Sequence, residues 1–141
     1  MRIRPQLLVL VLLFTVLAAV CPATADPASE KAGTEAAQKW LGLIDAKQYA
    51  QSWNEIAPIM KQSIDAQNWA NAVGSVRTMV GAMESRAVKS TTFMTQVPGS
   101  PKGKYVVIIY DTKFAKRAAT ETVTVMLCPD KAWRVAGYYV R

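Results

Sequence analysis

Apolar positions follow three different rules along this chain. Between Leu7 and Val20 they are continuous, LLVLVLLFTVLAAV; from Ser29 to Val80 they recur every three or four residues; from Ser85 onward they alternate with polar ones. The first helical stretch, Ser29 to about Lys47, sets Ala37, Trp40, Leu41 and Ile44 on one face and Glu30, Lys31, Glu35 and Lys39 on others. After DAKQY a second pattern runs through Tyr49, Trp53, Ile56, Met60 and Ile64. Pro58 lies inside it, without an amide donor and crowding the turn before it, so this helix should kink or end nearby. A third helix is predicted from an Asp65 cap to Val80, with Trp69, Val73, Val76 and Val80 as its apolar face, Ala72 and Met79 at the edges, and Gly81 as its stop.

The period then changes to two. SRAVKSTTFMTQV is rich in β-branched residues, and PGSPKGK reads as a loop. In YVVIIYDTKF, Tyr105, Val107 and Ile109 share one face and Val106, Ile108 and Tyr110 the other; both are apolar, which predicts a central strand covered on both sides. TETVTVML sets Glu121, Val123, Val125 and Leu127 against Thr120, Thr122, Thr124 and Met126. Pro129-Asp130-Lys131 turns the chain into a last strand, where strict alternation puts Trp133, Val135, Gly137 and Tyr139 opposite Arg134, Ala136, Tyr138 and Val140. Helices followed by strands with connections too short for crossovers give an α+β fold: three N-terminal helices, then a curved antiparallel sheet of about four strands. The sheet is expected to curve around the first helix, with Gly137 easing the bend as a bulge or a close approach.

The leading run changes the picture of where the protein acts. Arg2 and Arg4, about 14 apolar residues and the small-x-small triplet Ala23–Ala25 form a secretory signal pattern that is too short to span a membrane. The expected organisation is a signal peptide at 1–25, a flexible lead-in at 26–35 and one α+β domain at 36–141, in a periplasmic or secreted protein. Cys21 raises lipid attachment, but Val20 is not the small residue that such a site carries before its cysteine. Loss of Arg2 and Arg4 lowers the formal net charge from +7 to about +5. With no dense Lys/Arg cluster, that charge suits a solvated surface or an envelope polyanion rather than nucleic acid. Stable membrane insertion after cleavage is not expected.

Composition removes several chemistries. The chain has no histidine, and Cys128 is the single cysteine left after cleavage, so Ser-His and Cys-His pairs, an internal disulfide and ordinary zinc sites all drop out. Cys128 itself reads as a half-buried small side chain. Phosphate-binding glycine loops and a nucleophile elbow are missing, and no cofactor or metal is expected. The tryptophans fall at core spacing. Tyr49, Tyr138 and Tyr139 are the better candidates for lining a pocket, because a buried phenol needs a partner. Arg77, Glu84, Arg86 and Arg134 interrupt apolar patterns, and the acids best placed near the sheet are Asp111 and Glu121. The candidate ligand-binding set is Tyr49, Arg77, Arg86, Asp111, Tyr138 and Tyr139, with no catalytic residue assigned. The doubly apolar strand 105–110 needs a cover on its second face, for which a homodimer through the sheet is one solution.

LIDAKQYAQSW, Trp69, Arg77, Gly81, Ser85-Arg86, PGSPKGKY and the closing WRVAGYY, in that order and spacing, resemble a bacterial exported family known only as a domain of unknown function, family 4019. The resemblance runs from about Ala36 to the end. Its layout is similar to the cone-shaped, cystatin-like domains related to nuclear transport factor 2, also seen in scytalone dehydratase and ketosteroid isomerase. It implies a curved sheet around a long helix with a pocket at the open end, and it carries no activity, because that fold hosts enzymes and binding modules alike. The preferred reading is an exported domain that binds a small molecule or a protein without catalysis. The alternative is a cofactor-independent lyase or isomerase, in which Asp111 or Glu121 acts as a base in the cone, as an aspartate does in the isomerase relatives.

Overall fold

A computed structural model of the chain describes residues 24–141, so the apolar run Leu7–Val20 lies outside the described residues. The fold is α+β, with helical segments preceding one antiparallel sheet. Helix α1 spans Pro27–Asp45. Asp26 caps it by accepting the Ser29 amide at 3.1 Å, and Pro27 occupies the first turn, where a missing amide costs nothing. The segment 26–35, expected as a flexible lead-in, is therefore the first half of a helix. It is held by contacts that its local sequence does not advertise. Gly33 is buried against the sheet, and the Glu30 carboxylate accepts the Phe93 amide at 3.1 Å.

The single interrupted helix expected from Tyr49 to Ile64 is two short ones, α2 at Tyr49–Asn54 and α3 at Pro58–Lys61. Of the two outcomes expected near Pro58, a kink or an end, the helix ends, at Asn54, and Pro58 opens α3. Between the two, Ile56 bridges Val135 in parallel, and the Ala57 amide donates to the Val135 carbonyl at 2.7 Å. The Ala57 amide, which a continuous helix would have used internally, is thus taken by the sheet edge. Helix α4 spans Ala66–Val80, capped by Asp65, whose carboxylate accepts the Asn68 amide at 2.8 Å, and stopped by Gly81 at φ 84°. Its buried stripe is Trp69, Val73, Arg77 and Val80, so an arginine takes the place expected for Val76.

Strands β1 (Met83–Met94), β2 (Tyr105–Phe114), β3 (Ala118–Leu127) and β4 (Trp133–Val140) form a meander in chain order. On β2 the inner residues Val106, Ile108, Tyr110, Thr112 and Phe114 are buried beneath the helices, while Val107 and Ile109 on the outer face are partly exposed in the single chain. Strand β4 departs from strict alternation. Thr124 pairs with Gly137 but Val125 pairs with Val135, leaving Ala136 as an extra residue. This bulge shifts the phase by one, so Val135 and Tyr138 share the inner face and Gly137 and Tyr139 share the outer one.

Helix α1 lies across all four strands, and its Trp40, Leu41 and Ile44 pack with Val106, Ile108, Val123, Val125 and Val135. The two buried indoles are satisfied by one residue: Trp40 Nε1 donates to the Ser52 carbonyl and Trp69 Nε1 to Ser52 Oγ, both at 3.0 Å. They are core anchors with their polar edges paired. The closest approach is at Gly33, where a Cβ would meet Val106 Cβ and Cγ2 at 2.8 Å. A Gly33→Ala substitution gains up to about 1 kcal/mol of helix propensity. It also forces α1 off a β-branched side chain fixed to the sheet, at about 1–3 kcal/mol. Urea unfolding should show a net loss of stability in this variant, and a net gain would contradict the close approach.

Candidate functional site

Charged residues at the ends and flanks of apolar elements converge on one buried point between the C-terminal ends of α1 and α4 and the inner face of the sheet. Glu121 on β3 has no solvent exposure. Its Oε1 accepts Arg86 Nε from β1 at 2.6 Å and Thr112 Oγ1 from β2 at 2.6 Å, and its Oε2 accepts the Tyr138 hydroxyl from β4 at 2.5 Å. Arg86 turns its other edge to Asp45, the last residue of α1, donating Nη1 to Oδ2 at 2.7 Å and Nη2 to Oδ1 at 3.0 Å. Arg77 of α4 donates Nη2 to the same Oδ1 at 2.9 Å, and its guanidinium lies over the Phe114 ring at 4.9 Å. Two carboxylates and two guanidiniums thus alternate through the interior, with the Arg86 fork bidentate on Asp45 and a single bond at each of the other two contacts.

Burial alone would raise the Asp45 carboxyl, but hydrogen bonds and charge from Arg86, then Arg77, outweigh it and hold the group below its usual value. For Arg86, burial works against the charged form, and its bonds to Asp45 and Glu121 reverse this and raise its pKa. Desolvation pushes the Tyr138 phenol upward, and the neighbouring Glu121 charge adds to the shift, so Tyr138 is a fixed donor. Tyr110, beside the network on β2, is pushed up to about 12, chiefly by burial, and among the described residues its hydroxyl has no partner. The Nη1 atom of Arg77 is likewise buried and unpaired.

Next to this network a cleft of about 450 Å³ opens between the α1 end and α4. Ile44, Lys47, Tyr49, Gly74, Arg77 and Lys116 form its walls, with Asp45 at its inner end. The Tyr49 ring rests on α4 at Gly74, where a Cβ would sit 3.5 Å from Tyr49 Cε2. A second cleft of about 400 Å³ lies between Trp40, Leu43 and Trp133, with Lys39, Glu55 and Arg134 around it. Arg134 there is already engaged by Asp130 at 2.7 and 2.8 Å. Among the described residues no group of His, Cys, Asp and Glu could hold a metal ion, and no helix is long and apolar enough to cross a membrane.

The sequence pattern of the family described as "Protein of unknown function (DUF4019)" matches residues 36–138. The chain belongs to that family. No curated protein and no solved structure matches it. All six members of the network, Asp45, Arg77, Arg86, Thr112, Glu121 and Tyr138, fall inside the matched span, Tyr138 being its last residue.

Of the residues singled out from the sequence, the structure brings Arg86 and Tyr138 together on Glu121, ties Arg77 to the same network through Asp45, and places Tyr49 in the adjoining cleft with Arg77. Asp111 and Tyr139 lie apart. Asp111 points outward toward the exposed Lys89 at 3.4 Å, and Tyr139 is 63% exposed on the outer face of β4. Glu84 and Arg134 make exposed pairs with Lys113 and Asp130. Asp45 and Thr112 were missed. Asp45 did carry a signal, because a carboxylate at the last position of a helix faces the negative end of the helix dipole and needs a compensating partner. Thr112 carried none, being one threonine among many in a β-branched strand.

Asp45→Asn should cost about 3–5 kcal/mol at neutral pH by leaving two buried guanidiniums short of a counter-charge. The folded pKa of Asp45 is depressed, so its contribution is present above the unfolded value near 3.8 and is lost as pH falls through the folded value. Denaturation of both proteins at a series of pH values should show the gap between them closing below that region. A gap that stays constant into acid would show that the Asp45 charge has no part in stability.

Proposed function

We propose that this chain is an exported, non-catalytic domain that binds a small molecule in the cleft between the end of α1 and α4. The observation that carries this reading is the contrast between carboxylates whose oxygens are already engaged and an open cleft beside them. Glu121 is the acid that a base-catalysed lyase or isomerase would use, yet both its oxygens already hold donors and it has no solvent exposure. Asp45 is clamped by two arginines. Neither carboxylate is positioned to collect a substrate proton, which favours binding over catalysis. The cleft has the size of ordinary small-molecule sites and combines an apolar wall, Ile44 and Tyr49, with a few polar groups.

Two further elements belong to the same proposal. One is a cone-like layout related to nuclear transport factor 2, supported by α1 lying across all four strands and by the bulges in β1 and β4. The other is export by cleavage after Ala25 and pairing of two copies through the outer sheet face. Val107, Ile109 and the exposed Tyr139 support that pairing. Native mass spectrometry of the protein recovered from the periplasmic fraction tests the binding reading directly. The expected spectrum contains a chain shortened by the 25-residue signal and carrying a non-covalent small-molecule adduct. A ligand-free chain across preparations would contradict binding, and a full-length chain retained in the cytosol would contradict export.

A further inference from the structure

The charges around the α1–α4 cleft do not cancel. Inside the protein, Asp45 and Glu121 are matched by Arg77 and Arg86 through four charge-assisted hydrogen bonds, and that set is neutral as a unit. Lys47 and Lys116 then remain on the cleft walls, and among the described residues neither is in an ion pair. Both are placed by the backbone. Lys47 follows α1 at φ 60°, and the Lys116 amide donates to the Val80 carbonyl at 2.9 Å. Lys116 Nζ donates to the Thr78 carbonyl at 2.8 Å, using one of three N–H groups at the end of α4 and leaving two. Arg77 forms the wall between them, 7% exposed, with its Nη1 without a partner. Asp45, the one acid lining the cleft among the described residues, has both oxygens taken by arginine.

We infer that the cleft takes a small organic anion, its carboxylate or phosphate facing Lys47 and Lys116 and its apolar body lying against Tyr49. This rests on the reading of the cleft as the small-molecule site and names the ligand class. Charge and shape act together here. Two unpaired ammonium groups beside low-dielectric walls raise the local concentration of anions. The Tyr49 ring, resting on α4 at Gly74, offers a surface for an apolar or aromatic body. A cation would meet Lys47, Lys116 and Arg77 with no free acceptor carboxylate, so the same walls select against it.

The test is an amide NMR titration of the purified protein with benzoate, with benzamide as its neutral analogue, with inorganic phosphate, and with phosphatidylglycerol vesicles. Benzoate should give saturable shifts at Gly74, Thr78 and Gly81, and benzamide at the same concentrations should not. Phosphate should shift the same amides more weakly, as it lacks the apolar body. Lys47→Gln and Lys116→Gln, both exposed and outside the buried network, should each weaken benzoate binding about two- to fivefold. The proposal is overturned by equal responses to benzoate and benzamide, by shifts at the Trp40–Trp133 cleft instead, by indifference to both lysine substitutions, or by no saturable shift at all. Vesicle binding that benzoate does not displace would assign the basic walls to a lipid surface and overturn it as well. A neutral molecule co-purifying in this cleft would overturn the anion class while leaving small-molecule binding intact, so the two readings fail separately.

Discussion

Glu121 is a carboxylate in a place that water does not reach, and a charge-bearing group so placed must have every acceptor site supplied by the protein. The rest of the structure is arranged around that requirement. Arg86 supplies the cation and one hydrogen bond, Thr112 a second, Tyr138 a third, so β1, β2 and β4 are all tied to a single side chain on β3. Tyr138 reaches it only because Ala136 is an extra residue in β4. Without that bulge its phenol would fall on the outer face, and Glu121 Oε2 would have no donor. Arg86 in turn would project two unpaired N–H groups toward the helices if Asp45 did not end α1 there. The position of α1 along the sheet is therefore fixed at both ends, by the Gly33 approach to Val106 and by the Asp45 clamp.

This arrangement separates two roles that the sequence leaves merged. Arg77, Arg86 and Tyr138 look like ligand-binding groups when read as polar residues in apolar patterns, and in the structure they are mostly occupied with each other's partners. Arg77 is the exception in position: it holds Asp45 with one nitrogen and forms part of the cleft wall. It is the point where the buried tie meets a surface that can receive a ligand. Anything bound against Lys47, Tyr49 and Lys116 rests on the same helix ends that the network locks, so the cleft is pre-organised by the contacts that fix Asp45 and Arg77.

Periodicity was enough to place α1, α4 and the four strands, because long patterns with caps such as Asp65 and stops such as Gly81 leave little ambiguity. It failed where tertiary contacts chose between local options. Pro58 could end one helix or start another, and the sheet-edge bridge at Ile56 and Ala57 decided it. Val76 and Arg77 are neighbours on a helix, and only the presence of Asp45 across the interface puts Arg77 on the buried side. The phase of β4 after Val135 depends on one inserted residue, invisible to a two-residue period until the pairing with β3 is known. In each case the missing information was a partner distant in sequence.

The central claim is that Arg86 and Glu121 stabilise the fold as one unit, and a double-mutant cycle measures it most directly. Arg86→Met, Glu121→Gln and the double variant would be compared with the parent by urea unfolding at neutral pH. Removing either partner alone strands the other in the interior, so the single losses should exceed what the double variant shows. The coupling energy should come out at about 1 kcal/mol or more. Losses that add within about 0.5 kcal/mol would mean the two groups act independently, and the account of a shared buried network would be wrong.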